Sequence, residues 1–95
     1  MSRSQVERRL TELAEQAKAL RRELAVSDEQ LAHLDADAED ARMHSLVAES
    51  PLAEREEREA RRHADAMRRH RQELSDELRR IEQAQDELLD RLLEH

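Results

Sequence analysis

"SLVAESPLAE", residues 45–54, holds the only proline of a chain that contains no glycine. Proline lacks the amide proton a helix needs, and its ring clashes with the preceding turn. It also pushes the residue before it out of the α region. Ser50 followed by Pro51 reads as an N-cap and a first helical position, which together make a strong helix start. The stretch therefore predicts one helix over about 3–47, a turn at about 48–50, and a second helix over about 51–93.

The sequence on either side carries one rhythm. Apolar or small residues step by four and three through Val6, Leu10, Leu13, Ala17, Leu20, Leu24, Ser27, Leu31, Leu34, Ala38, Ala41 and Ser45. The rhythm returns as Ala53, Ala60, Ala64, Met67, Arg71, Leu74, Leu78, Ile81, Gln85, Leu88 and Leu92, with polar Arg71 and Gln85 in two of its places. A mean spacing of about 3.5 residues is the coiled-coil period. With Leu10 at heptad position a, Val6 and Leu13 are d; in the second half Leu78 is a, and Leu74 and Ile81 are d. Continuing the first phase past Ala41 would bring Arg55 and Arg62 into the seam, so the phase breaks at the proline. The predicted fold is all-α, two long helices forming an antiparallel coiled-coil hairpin.

Antiparallel pairing sets a against d and keeps the sum of paired residue numbers constant. Leu10 with Leu88, Leu20 with Leu78, Leu24 with Leu74 and Leu31 with Met67 all sum to 98, as do Val6 with Leu92 and Ala17 with Ile81. That register predicts favourable flanking pairs Asp28–Arg68, Asp35–Arg61, Arg42–Glu54, Asp37–His63 and His44–Glu56, and unfavourable ones Glu23–Glu77 and Arg9–Arg91. Large seam residues give way to alanine near the turn, so a slender tip and a thicker base are expected. Leu46, Val47 and Leu52 are expected to fold over the tip as a cap.

A seam of this kind buries its leucines incompletely. Ordering each residue costs about 1–2 kcal/mol, so the margin for a lone hairpin is thin. Ala14, Leu89 and Leu93 widen the apolar face at the base, and Val26 and Met43 add exposed apolar surface. A homodimer, two hairpins forming a four-helix bundle, is the expected response.

Composition removes whole classes of function. A net charge of −7 opposes general binding to nucleic-acid phosphates. With no glycine there is no phosphate-cradling loop, with no cysteine no thiol chemistry, and a thin pair of helices offers no water-excluding cleft. No enzyme activity, cofactor or metal is expected. The helical spacing of His63 and His70, seven residues apart, suits no single ion, and His33 projects away from them. No apolar run approaches a membrane span, and "MSRSQVERRL" is not a signal peptide, so a cytoplasmic protein is expected. The ending "LEH", Leu93 to His95, resembles the start of an expression-tag junction.

Three groups of residues are candidate sites. Ser27, Arg71 and Gln85 are polar residues in the seam and could set register or partner choice; the plainer reading is an arginine whose stem packs while its head reaches water. The basic run "ARRHADAMRRHR", 60–71, faces acids on the other helix, with Asp37–His63 a possible pH-sensitive contact, and leaves Arg62 and Arg69 outward for a partner. Leu46, Val47 and Leu52 at the tip complete the partner-facing set.

"ESPLAEREEREARRHADAMRRHR" (49–71) and "QDELLDRLL" (85–93) resemble the small, uncharacterised helical-hairpin coiled-coil proteins of GC-rich actinobacteria, as do sixteen arginines against one lysine. That resemblance implies a hairpin and no assigned activity. Two characterised hairpin classes are more distantly similar. Secondary-channel transcription factors carry acidic residues on a coiled-coil tip; here Glu49 and Glu54 lie near the turn while Asp35–Asp40 lie below it. A hairpin anti-sigma factor that binds a cyclic dinucleotide is matched by Arg68, Gln72 and Asp76, but Arg61 and Asp65 stand where it has Glu and Ser. The expected function is a non-enzymatic protein–protein interaction module whose partner the residues do not name. The alternative is a small transcription regulator contacting RNA polymerase or a sigma factor through its tip or outer helical face, and a weak nucleic-acid contact through Arg62 and Arg69 ranks third.

Overall fold

A computed structural model of the chain describes residues 1–94. Two helices account for nearly all of it: α1 spans Arg3–Ala48 and α2 spans Pro51–Leu93. His95, part of the "LEH" ending, lies outside the described residues. α1 opens with a capping box that the sequence reading passed over. The Gln5 amide donates to Ser2 Oγ at 3.2 Å, and the Ser2 amide donates to Gln5 Oε1 at 2.9 Å. The pattern Ser-x-x-Gln encodes that exchange, which satisfies donors the first helical turn leaves over.

The turn is shorter and more specific than the sequence suggests. α1 continues one residue beyond the expected 47, and only Glu49 and Ser50 separate the helices. Ser50 acts as the N-cap: its Oγ accepts from the Ala53 amide at 3.1 Å. Glu49 reverses the chain with φ of 47°, while its amide still donates to the Ser45 carbonyl at 3.1 Å. That left-handed conformation normally falls to glycine or asparagine after a helix C-terminus. In a side chain with a Cβ it costs roughly 1–2 kcal/mol. Nothing in the residue type Glu announces it.

The chain divides into two compact units, each made of a piece of both helices: unit 1 is Met1–Leu24 with Glu73–His95, and unit 2 is Ala25–Gln72. Unit 1 holds a leucine-rich core. Val6, Leu13, Ala17, Ile81 and Leu88 are buried together, with Leu10, Leu20, Leu78, Ala84 and Leu92 packed against them. Leu13 is only 2% exposed. Unit 2 is built from smaller parts. Its buried residues are Ser27, Ala53 and Ala64, and the larger Leu31, Leu34 and Met67 are half-buried. Alanines at facing positions let two helices approach closely, but each buries little area.

Every seam position named from the sequence is buried or half-buried. The seam also holds a charged residue. Glu57, at the a position between Ala53 and Ala60, has a side chain only 17% exposed and pairs with Arg61 at 3.4 Å. Heptad counting places it there, although a charged residue stands outside an apolar pattern.

Candidate functional site

The tip of unit 2 gathers the exposed apolar side chains nearest the turn. Met43, Leu46 and Val47 on the last turns of α1 and Leu52 on the first turn of α2 are all exposed, Val47 to 84%. The expected cap over the tip does not form. Ser45 and Ala53 take the seam positions, and a connection of two residues gives Leu46, Val47 and Leu52 no slack to fold inward. A run of apolar side chains thus stands in solvent around the Glu49–Ser50 corner. Single exposed leucines are ordinary, whereas four exposed apolar side chains within ten residues of one turn make a candidate contact surface.

Beside the tip, on the face of unit 2 formed by heptad positions a and e, lies a charged groove of about 390 Å³ lined by Asp35, Ala38, Glu39, Arg42, Glu57, Arg61 and Arg68. Its ion pairs correct the register of charges expected from the sequence. None of the five favourable flanking pairs is an ion pair of the structure. Arg68 instead bridges Asp65 at 3.0 Å and Asp35 of the opposite helix at 2.7 Å. Arg61 turns to Glu57, and Arg42 to Glu39 of its own helix at 2.7 Å.

The reason is geometric. Each e position has two neighbours on the facing helix, one heptad apart, and the expected pairing used the wrong one. In the pairing observed, Asp35 meets Arg68 while Arg42 would meet Arg61. Both of those arginines therefore take intrahelical acids. The unfavourable pairs foreseen elsewhere resolve the same way, with Arg9 on Glu12 at 3.1 Å and Glu77 on Arg80 at 2.6 Å. The hydrogen bond from Arg42, and then its charge, hold the Glu39 carboxyl below the ordinary carboxylate range, and Arg42 is raised in turn.

Of the polar seam residues, Ser27 is buried, whereas Arg71 and Gln85 are half-buried. Arg71 keeps its stem in the seam and donates from Nε to Asp28, with 39% of its side chain exposed. The head reaches a carboxylate at the surface, so the layer holds no isolated charge. Among the described residues no buried side-chain nitrogen or oxygen lacks a hydrogen-bond partner. Arg62 and Arg69 are exposed and join no ion pair among the described residues.

Among the described residues no group of three His, Cys, Asp or Glu side chains is placed to hold a metal ion, and no helix is long and apolar enough to cross a membrane. At the end of unit 1 a hollow of about 480 Å³ is lined by Met1, Arg3, Val6, Arg91 and Leu92. No family model, curated protein or solved structure matches this chain.

Proposed function

We propose that this protein is a non-enzymatic interaction module whose tip, Met43, Leu46, Val47 and Leu52, docks on a protein partner, and that it works as a cytoplasmic homodimer. The exposed apolar cluster around a rigidly capped corner carries the reading. Its supports are local. Ser50 caps α2, Glu49 holds the reversal, and a connection of two residues leaves little conformational freedom to lose on binding. Apolar side chains held in place before binding gain from burial against a partner groove with little ordering cost.

The test compares two baits in one lysate of the native organism: the wild-type chain and a Leu46→Ser, Val47→Ser, Leu52→Ser variant. A protein retained by the first and lost by the second supports the tip. Identical captures would remove it. Recovery of RNA polymerase subunits or a sigma factor on the wild-type bait would assign the module to transcription regulation.

A further inference from the structure

The seam of unit 1 is closed on one side and open on the other. Its d residues Val6, Leu13, Leu74, Ile81 and Leu88 are buried and only Leu20 is half-buried, whereas of its a residues Leu10, Leu24, Leu78, Gln85 and Leu92 are half-buried and only the small Ala17 is buried. Position a borders e on a helix; among the e positions here, Ala14 and Leu89 are apolar and exposed, with Leu89 at 46%, and they stand between Glu7, Arg21, Ser75 and Glu82. The same a and e face in unit 2 is laced by Asp28–Arg71 and Asp35–Arg68. In unit 1 it carries one cross-helix pair, Arg21–Glu82 at 3.7 Å. Between the intrahelical pair Arg3–Glu7 at its end and the cross-helix pair Arg21–Glu82, unit 1 therefore presents a short apolar strip.

Resting on the homodimer reading above, we propose that the occupant of this strip is the same strip of a second copy, with α1 of each chain against α2 of the other. Charge selects that arrangement. Residues 3–24 of α1 carry six cationic and four acidic side chains, while residues 73–93 of α2 carry three cationic and seven acidic ones. Setting α1 on its own copy would oppose basic to basic and acidic to acidic. Crossing them opposes unlike charge on both sides of a twofold axis. Shape selects the same arrangement. Ala14 against the second copy's Leu89 fits small to large, whereas a pair of alanines leaves a void and a pair of leucines crowds the strip. Arg21 then lies near a second Glu82, and the half-buried leucines complete their burial. The result is a bundle in which each neighbouring helix runs antiparallel to the next.

The absence of cysteine makes the orientation directly readable. Full-length Ala14→Cys and Leu89→Cys chains are mixed, equilibrated and oxidised, and the wild-type chain is sized by sedimentation equilibrium. The expected result is a dimer whose mixed disulfide predominates over both symmetric ones. Leu89→Glu should raise the dimer dissociation constant roughly a hundredfold or more while the helical content of the monomer persists, because each interface loses two buried leucines. A charge exchange reads the same contact. Arg21→Glu and Glu82→Arg chains should each dimerise weakly alone and should dimerise better when mixed. Predominant symmetric disulfides in a dimer would overturn the orientation and leave the homodimer standing. A wild-type monomer at all concentrations would overturn both, and neither result bears on the tip.

Discussion

Units 1 and 2 are made of the same two helices and the same heptad pattern, yet they put it to different use. Unit 1 fills its seam largely with leucine, isoleucine and valine and leaves an apolar stretch on its a and e face around Ala14 and Leu89. Unit 2 buries only alanine and serine, keeps Leu31, Leu34 and Met67 half-buried in its seam, admits Glu57 and Arg71 into it, and binds the same face with ion pairs. Exposed ion pairs contribute only about 0–1 kcal/mol each, whereas a fully buried leucine contributes about 1.5–3 kcal/mol. The first unit is where stability should reside. The second pairs weak seam packing with an exposed apolar corner, a combination suited to display.

The largest effect expected from that contrast comes from its two leucines. Leu13→Ala in unit 1 should lower unfolding stability by about 3 kcal/mol. Leu34→Ala, half-buried in unit 2, should cost about half as much. Urea denaturation followed by circular dichroism measures both, and equal losses would erase the distinction between the units.

The corner comes next, with two changes of opposite sign. Ser50→Ala removes the acceptor for the Ala53 amide and should destabilise by about 1 kcal/mol. Glu49→Gly relieves a left-handed residue but adds freedom to the unfolded chain, for a net gain of about 0.5 kcal/mol. A loss on Glu49→Gly would mean that its side chain supports the turn. Arg71→Leu should raise the denaturation midpoint slightly, because a half-buried arginine exchanges a surface ion pair for apolar contact in the seam. A marked loss would instead assign Arg71 and Asp28 a structural role.

The smallest effect concerns pH. The Glu39 carboxyl titrates below its ordinary value in the folded chain because Arg42 donates to it and lies beside it. A depressed folded value stabilises above the unfolded carboxylate value and is lost as pH falls through the folded one. Glu39 is exposed, so the contribution should be slight and weakened by salt. Arg42→Gln should return the Glu39 titration, followed by NMR, to the ordinary carboxylate range.

The seam was legible because it is repeated. Each heptad restates which residues face inward, and the break in phase falls at Pro51, where the backbone cannot continue. The charge partners were not legible. Asp35 has Arg61 and Arg68 within one heptad of each other, and Arg42 can reach acids on its own helix as readily as across the seam. The energies separating these choices are smaller than those that set the register, so residue order alone does not rank them. Glu57 shows the opposite failure: the heptad placed it correctly, and an assumption about charge removed it.

Residue order by itself determined the two helices, the corner at Ser50–Pro51 and the stripe along which they zip, because these follow from local backbone chemistry and a repeated period. Only the tertiary structure decided that Glu49 takes the left-handed turn, that Leu46, Val47 and Leu52 stay in solvent, and that in unit 1 most d residues close while most a residues stay half-open. Those outcomes depend on how closely two particular helices approach and how little chain joins them. Neither is written in the identity of any single residue.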